Sequence, residues 1–439
     1  MDQLIPSLGS LLAPLAPAFR PEVFRTFCLM TGAWIACVGR RTISRVWETT
    51  GQTRSRHHAA AFRLFSQAVW NWDEVMRLLL VAILKTFIPG TRVWVVVDDT
   101  LCHKRGAKVA FGGIFLDAVL SSKRHKTFRF GNNWVLLGLV VSMPFRRDRF
   151  FCLPLLWRVY QKRGSKPKAD HRTKPELAAD AVRTLAEWLP GRKILVVADS
   201  AYIGRAMLHD RPGNVEYIGP ICWHAALTEV RADPEGRDLD SGKRLPALRA
   251  ILDDDRNWPP RTRWFDLPNG TRKRLHIKWV EARWPTVTGE RRVAVVLVRD
   301  PKGHWRDEAL VSTNPDLCDW DIVVGYCRRW SVEVAIGDAK GLLGFHDPCV
   351  WKEESVRRAA PMAWFTGTLV MLWYARERAD HRPARRHRPW YPKTVTTFAD
   401  MLACCRLALW EQKGLGRGDR CPVLTHNEGW LLEYLATAA

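Results

Sequence analysis

Apolar residues in the first 90 positions recur at the spacing of amphipathic helices. The stretches TISRVWETTG and SRHHAAAFRLFSQAVW are joined by a glycine-containing turn, and the next stretch, DEVMRLLLVAILKTF, ends at Pro89 and Gly90. Residues three and four apart share one face of a helix, so an apolar repeat of this kind predicts a helix. We therefore expect a helical region over residues 1–90.

From residue 91 the apolar residues run continuously, which is typical of buried strands. A helix with proline at each end, PELAADAVRTLAEWLP (175–190), interrupts these runs. The predicted strands are TRVWVVVDDT (91–100), NNWVLLGLVVSM (132–143), RFFCLPLLWRVY (149–160) and KILVVADSAY (193–202). The order strand, strand, strand, helix, strand predicts an α/β domain.

Residues 211–303 interrupt this α/β pattern. They combine turn signals such as RPGN and DLPNGT with strand-like runs such as RLHIKWVEARW, and together these predict a β-rich insertion. The stretch EALVSTN (308–314) predicts one more core strand, and the helical tail is broken by a Pro- and Arg-rich loop at 378–393. The predicted division is 1–90 helical, 91–210 first part of the α/β domain, 211–303 insertion, 304–350 second part, and 351–439 C-terminal helical region.

The segment 325–344, GYCRRWSVEVAIGDAKGLLG, predicts one helix with a polar edge. At about 100° per residue, Tyr326, Arg329, Glu333 and Lys340 fall within about 60° of one another. Such a stripe is either a solvated charged face or the working edge of a site. Features elsewhere in the sequence are needed to distinguish these two interpretations.

The chain carries a large excess of positive charge. Its 439 residues include 68 Lys and Arg against 45 Asp and Glu, a net charge of +23. This excess indicates a polyanionic partner, with nucleic acid first and an anionic membrane surface second. The basic helices of 1–90 would then be either a DNA-binding bundle of the helix-turn-helix kind or a helical packing domain.

Two further features of the composition narrow the class of protein. No apolar stretch reaches the about 20 residues that a membrane span needs, which favours an intracellular protein. The eleven cysteines include no C-x-x-C pair. A zinc site is therefore not indicated, and reduced, mostly buried thiols are expected.

Three acids stand at the ends of predicted elements. Asp98 and Asp199 each end a hydrophobic strand, and Glu333 lies on the polar edge of the helix. Acids at the carboxyl ends of strands are where α/β sheets build sites, and three converging carboxylates need cations between them. Oxygen ligands select Mg²⁺ or Mn²⁺ over zinc, and two such ions can cut a phosphodiester. Each acid alone could instead be a turn residue or a helix cap.

Asp98 and Asp99 are neighbours, and successive residues of a strand face opposite ways. At most one of the two can project toward the proposed ions, and the other could bond the turn at Thr100. Asp99 is therefore a candidate of lower rank.

The residues of the helix edge resemble the signature of the bacterial insertion-sequence DDE transposases. Tyr326, Arg329, Glu333 and Lys340 fit the pattern Y-x-x-R-x-x-x-E-x-x-x-x-x-x-K. The stretches VVVDDT and VVADSAY resemble the strands that carry the family's first and second acids, and the resemblance extends over roughly residues 90–360. The pattern of the first motif, Asp followed by any residue and then Thr or Ser, favours Asp98 over its neighbour.

The resemblance implies an RNase H-like mixed sheet with helices on both faces and a β insertion before the catalytic glutamate. It implies that Asp98, Asp199 and Glu333 hold two Mg²⁺ ions, for which Mn²⁺ can substitute. The activity implied is cleavage of transposon ends and strand transfer into target DNA. Tyr326, Arg329 and Lys340 would then bind phosphates of the transposon end.

The resemblance also implies partners and one optional step. The partners are double-stranded DNA, as terminal inverted repeats and as target, and a second copy of the chain on paired ends; the location is the bacterial cytoplasm, with the nucleoid. Some relatives cut through a DNA hairpin and hold a flipped base with a tryptophan of the insertion, for which Trp284 and Trp305 are candidates here. Two alternatives stay open: an RNase H-like nuclease or resolvase without transposition, and a domesticated, non-catalytic DNA-binding protein.

Overall fold

A computed structural model of the chain describes residues 4–122, 124–164, 171–232, 238–239, 242–267, 270–377, 395–412 and 435–436. The predicted loop at 378–393 lies outside the described residues. No helix in these ranges is long and apolar enough to cross a membrane.

The N-terminal region is helical, as predicted. Its elements are α1 (Pro6–Leu12), a 3₁₀ helix (Ala13–Ala18), α2 (Pro21–Ala36), α3 (Ile43–Thr49), α4 (Ala59–Ser66) and α5 (Trp72–Phe87). These helices pack against the C-terminal part of the chain. The indole N–H of Trp34 donates a hydrogen bond to the carbonyl of Leu343 at 2.9 Å, and the indole N–H of Trp72 donates one to the carbonyl of Arg358 at 3.2 Å. Their apolar residues join the core of the α/β region.

Thirteen strands follow in the described ranges, eleven of them in one sheet. They are β1 (Arg92–His103), β2 (Gly113–Leu116), β3 (Phe128–Met143), β4 (Arg146–Tyr160), β5 (Lys193–Ala198), β6 (Val215–Pro220), β7 (Thr228–Glu229), β8 (Arg231–Ala232), β9 (Asp238–Leu239), β10 (Arg261–Asp266), β11 (Arg272–Trp284), β12 (Gly289–Arg299) and β13 (Glu308–Ser312). All the strands predicted from the sequence are present, and β2 is a strand that the sequence did not indicate.

The remaining helices are distributed through the α/β and C-terminal regions. They are α6 (Lys174–Trp188), α7 (Arg205–Leu208), α8 (Leu248–Asp253), α9 (Pro285–Thr288), α10 (Asp319–Cys327), α11 (Trp330–Leu342), α12 (Glu353–Ala359), α13 (Met362–Glu377) and α14 (Phe398–Gln412). The predicted helix at 175–190 is α6, which begins at a capping box between Thr173 and Glu176.

The centre of the sheet has the order β4-β3-β1-β5-β6, in which β3 is antiparallel to both β1 and β4 and the β1, β5 and β6 strands are parallel. Helices cover both faces: Trp157 of β4 contacts Trp72 and Trp364, whereas the next residue, Arg158, binds Asp180 of α6 at 2.9 Å. Successive strand residues face opposite ways, so α6 lies on one face and α13 on the other. This confirms the predicted RNase H-like mixed sheet with helices on both faces.

The strands of the predicted insertion extend this same sheet. β13 pairs antiparallel with β6, and β12, β11 and β10 continue outward in that order. β6 begins at Val215, inside the range 211–303, yet it belongs to the parallel centre of the sheet. The division of the chain into domains stays a prediction.

The predicted single helix over 325–344 is interrupted, which corrects that expectation. α10 ends at Cys327 and α11 begins at Trp330. In between, the N–H groups of Arg328 and Arg329 bond three residues back, to Gly325 and Tyr326. This tightened turn advances about 120° per residue instead of about 100°, so it rotates Tyr326 relative to the residues that follow.

Two glycines on these helices give a matched stability test. A Cβ on Gly325 of α10 would lie 2.8 Å from Trp94 of β1, whereas a Cβ on Gly337 of α11 would meet nothing within 4 Å. We expect Gly325→Ala to lower the free energy of unfolding by about 1–3 kcal/mol through overpacking. Gly337→Ala should raise it by up to about 1 kcal/mol, because alanine is the better helix former.

Chemical denaturation of the two variants and the parent chain measures this difference. Effects of the same sign in both variants would contradict the close packing of α10 against β1.

Candidate functional site

The pairing of β1 with β5 brings the first two candidate acids together. The two strands are parallel, and their last paired residues are Val97 and Ala198. Asp98 is the next residue of β1 and Asp199 is the first residue after β5, so the register carries both acids to the same end of this strand pair. The sheet therefore juxtaposes two acids that are far apart in the sequence.

The backbone at each acid restricts its side chain. Asp98 Oδ1 accepts a hydrogen bond from the N–H of Asp99 at 2.7 Å, and Asp199 Oδ1 accepts one from the N–H of Ser200 at 2.6 Å. Each carboxylate keeps a second oxygen for another partner. β5 ends at Ala198 while β1 continues to His103, so the acids lie where β1 leaves its parallel neighbour.

Arg329 links the third acid to this pair. Its Nη1 atom lies 2.8 Å from Glu333 Oε1 and 3.8 Å from Asp98 Oδ2. Glu333 is in the first turn of α11, which packs against β1. One guanidinium thus lies between the helix acid and the strand acid.

The electrostatics of Asp98 reflect this crowding. Burial raises the pKa of Asp98 to about 6, and the negative charges of Asp99 and Glu333 add to the effect, while Arg329 opposes it. Asp199 acts on the same region, since its charge raises the pKa of Tyr326 in addition to the larger effect of burial. A carboxylate of this kind is stabilised by any cation that approaches it.

The donor set fits a hard divalent ion, although the side chains are not arranged as a metal cluster. In the ranges that the structure describes, no group of three or more His, Cys, Asp or Glu side chains is placed to hold a metal ion. Asp98, Asp199 and Glu333 offer only carboxylate oxygens, the ligands that Mg²⁺ and Mn²⁺ prefer. Their joint coordination of two ions stays a prediction.

Asp99 points away from this group. Its Oδ2 lies 2.5 Å from Lys174 Nζ, at the start of α6, and its Oδ1 accepts the hydroxyl hydrogen of Tyr202 at 2.9 Å. The turn at Thr100, suggested from the sequence, is not its partner in these bonds. Asp99 therefore ties β1 to α6 and to the loop that follows Asp199.

The predicted phosphate-binding residues border the acids. Tyr326 lies in the last turn of α10, and the centre of its ring is 5.8 Å from the Arg329 guanidinium. Lys340 is largely buried, and burial lowers its pKa, with the charges of Asp117 and Cys102 acting in the opposite direction. Within the described part of the chain, no acid lies within ion-pair distance of Lys340.

A cavity of about 740 Å³ opens beside the site, and Trp305, Tyr326 and Arg329 line it. Trp305 is 38% exposed, and Lys273 Nζ lies 3.7 Å from the centre of its ring. Trp284 is buried and does not line this cavity. The two candidate tryptophans therefore differ, because Trp305 lines the cavity and Trp284 packs in the core.

Two cavity residues were missed from the sequence. Arg328 lies over the rings of Trp94 and Phe150, at 3.9 and 4.5 Å from their centres. Burial raises the pKa of Asp338 to about 6, and the charge of Arg149 offsets this only in part. No sequence signal marks Asp338, because its burial depends on distant elements that form the other walls of the cavity.

The five central strands, their order and the acids beside them define an RNase H-like α/β protein. A family model described as DDE superfamily endonuclease matches residues 14–287. The chain therefore belongs to the DDE superfamily endonucleases. The match contains Asp98 and Asp199 and ends before Glu333. A search of curated proteins finds no match.

Family membership carries a coarser functional statement than the sequence prediction. Members are endonucleases, which act on DNA and generally use divalent metals. Transposition, the identity of the metal and the roles of individual residues go beyond this.

The buried acid of the cavity gives a pH test. The pKa of Asp338 is about 6 in the folded chain against an ordinary value of 3.8. Folding therefore disfavours its charged form, a penalty that is absent below about pH 4 and complete above about pH 6–7. We expect Asp338→Asn to raise the free energy of unfolding by up to about 2 kcal/mol near pH 8 and to have little effect near pH 4.

Denaturation at both pH values measures the effect, with Asp316→Asn as the control because Asp316 is exposed. An equal change at the two pH values would mean that Asp338 is not held in a desolvated environment.

Proposed function

We propose that the chain is a DDE transposase that cuts the ends of a mobile DNA element and joins them to target DNA. The observation that supports this proposal is the parallel register of β1 and β5, which ends one residue before Asp98 and Asp199, together with the approach of Arg329 to both Asp98 and Glu333. Membership of the DDE superfamily endonucleases supports it independently. The net charge of +23 supports DNA as the partner.

Asp98, Asp199 and Glu333 would hold Mg²⁺, with Mn²⁺ as a substitute. Two such ions, when bound, would activate a water or a 3′-hydroxyl of the DNA as the nucleophile and would stabilise the leaving oxygen. The chain itself supplies position: the β1–β5 register sets the spacing of the two aspartates, and α11 brings the glutamate to them. Arg329 neutralises the acids and would exchange this contact for a phosphate when DNA binds.

Tyr326, Arg329 and Lys340 would bind phosphates of the transposon end. Lys340 supports this role best, because a largely buried ammonium group gains from an anion that can accept its hydrogen bonds. Arg329 offers a planar fork and Tyr326 a hydroxyl. Orientation of the DNA and neutralisation of its charge are most of what phosphoryl transfer needs from a protein.

Trp305 is the stronger candidate for holding a flipped base, if the reaction passes through a hairpin. Its ring lines the cavity beside Tyr326, whereas Trp284 is buried in the core. Hairpin ends on a denaturing gel of the cleavage products would be the sign of this route, and their loss in Trp305→Ala but not in Trp284→Phe would assign the residue.

The remaining parts of the proposal concern organisation. Residues 1–90 would contact DNA, 91–210 and 304–350 would form the catalytic domain around the insertion at 211–303, and 351–439 would complete it. A dimer on paired ends, in the bacterial cytoplasm with the nucleoid, would carry out the reaction. The alternatives are a nuclease or resolvase that does not transpose, and a DNA-binding protein without catalysis.

The acids can be tested with the DNA that flanks the gene. Asp98→Asn, Asp199→Asn and Glu333→Gln should each abolish cleavage and joining in the presence of Mg²⁺, a loss larger than the about 10–100-fold typical of changes around a metal's ligands. Asp99→Asn is the matched control, because its carboxylate faces Lys174 and Tyr202. It should keep metal-dependent cleavage.

The products and the substrate preference separate the alternatives. End cleavage with joining supports transposition, cutting without regard to the ends supports a plain nuclease, and binding without cutting supports the non-catalytic alternative. Full activity in any of the three acid variants would remove that acid from the site.

The phosphate contacts can be tested through salt dependence. Each phosphate that a side chain neutralises contributes about 0.9 to the slope of log affinity against log salt. We expect Arg329→Ala and Lys340→Ala each to reduce the slope by about one unit. Lys193→Ala is the control, because Lys193 begins β5 at the end of the strand opposite Asp199. Unchanged slopes in both variants would contradict the phosphate contacts and would favour the alternative interpretation, in which this helix edge is a solvated charged face.

A further inference from the structure

A histidine–aspartate pair lies beyond the proposed catalytic acids, at the end of β1. His103 Nε2 and Asp117 Oδ2 are 2.6 Å apart, and the side chains are 41% and 5% exposed. Asp117 is fixed, because its Oδ1 also accepts the N–H groups of Val119 and Leu120 at 3.1 and 3.2 Å. These hydrogen bonds hold the pKa of Asp117 below its usual value despite burial. The carboxylate therefore orients the imidazole and leaves Nδ1 as its available nitrogen.

A second histidine fixes the plane of the first. The rings of His103 and His346 stack at 4.8 Å with an angle of 5° between them. His346 Nδ1 accepts the backbone N–H of His103 at 3.0 Å, so the His346 proton is on Nε2. Burial and nearby positive charges lower the pKa of His346 to about 3, which keeps that ring neutral. The neutral ring of His346 therefore stacks on His103 without adding a positive charge beside it.

Both elements that carry the catalytic acids lead to this pair. β1 continues for five residues beyond Asp98, about 16 Å. α11 runs from Glu333 to Lys340, about 10 Å. The two elements end together, since the thiol of Cys102 donates to the carbonyl of Phe345 at 3.1 Å.

Charged side chains also lie around the pair of His103 and Asp117. The negative charge of Asp117 raises the pKa of Lys340 against the larger effect of burial, so the two groups are close. Lys104 Nζ donates to the carbonyls of His346 and Pro348 at 3.1 and 2.9 Å. The carboxylate of Asp117 and the neutral ring of His346 contact His103, and the ammonium groups of Lys104 and Lys340 act electrostatically on His346.

Resting on the proposed function, we propose that His103 is a further phosphate-binding residue, which donates Nδ1–H to a phosphodiester of bound DNA next to the one that Lys340 binds. Asp117 stabilises the protonated ring and holds it in one orientation, and the stacked His346 prevents its rotation. Imidazole changes charge within the pH range of about 5 to 8, so this contact would make DNA affinity depend on pH.

Three variants test the proposal. His103→Gln keeps a donor for Asp117 but cannot become positive, and His103→Arg restores a permanent charge. His209→Gln is the matched control, because His209 Nδ1 also lies 2.8 Å from an aspartate, Asp210, which is largely exposed. The probe is a fluorescent duplex of the DNA that flanks the gene, with a scrambled duplex of equal length alongside, and thermal unfolding checks that each variant is folded.

We expect His103→Gln to reduce the salt slope of DNA binding by about 0.9 and to weaken the loss of affinity between about pH 5 and 8. His103→Arg should restore the slope and remove the pH response at this position, and His209→Gln should match the parent chain. Parent-like slope and pH response in His103→Gln, or no recovery of the slope in a folded His103→Arg, would overturn the proposal. If the parent chain itself shows no salt-dependent binding, the proposed function fails and not only this contact.

Discussion

The parallel pairing of β1 with β5 is the constraint on which the candidate site depends. Hydrogen bonds of the two backbones fix Val97 opposite Ala198, and the residue that follows each of them in the chain is an acid. The register of the two strands therefore carries Asp98 and Asp199 to the same end of the pair without a side-chain contact between them. The register matters for the site, because a slip of one residue would turn Asp98 to the other face of the sheet.

Charge balance is the second constraint. Carboxylates that share a partly buried region repel one another unless cations are near, and at Asp98 the charges of Asp99 and Glu333 add to the effect of burial, which raises its pKa. In the protein alone, Arg329 supplies part of that charge by approaching both Glu333 and Asp98. The same guanidinium is suited to bind phosphate, so the side chain that stabilises the acids in the protein alone is also free to exchange partners when DNA arrives. This double use explains why a cation belongs among the acids of the helix edge.

The sequence was sufficient for the parts of the fold that local patterns determine. Runs of valine and leucine located the central strands, and proline located the start of α6. The strand ends pointed to Asp98 and Asp199, and alternation along β1 limited the pair Asp98 and Asp99 to one site residue. Each of these inferences uses only neighbouring residues and the period of the element.

Features set by distant contacts were not accessible in this way. The break between α10 and α11 coincides with the packing of Arg328 on Trp94 and Phe150, which no helical period can indicate. β6 was assigned to the insertion because a short strand does not reveal its neighbours. The environment of Asp338 is formed by residues of other elements that line the cavity. Asp99 binds Lys174 and Tyr202, which are both remote from it in the sequence.

The difference in length between β1 and β5 has a functional consequence. Because β5 stops at the acids, the end of β1 has no parallel neighbour there and instead meets the end of α11. The strand and the helix that carry Asp98 and Glu333 therefore also carry His103 and Lys340 at their far ends. The candidate acids and the candidate phosphate contacts therefore belong to the same two packed elements. A strand of DNA held at the far ends would be positioned relative to the acids without any intervening flexible loop, which is the kind of preorganisation that phosphoryl transfer rewards.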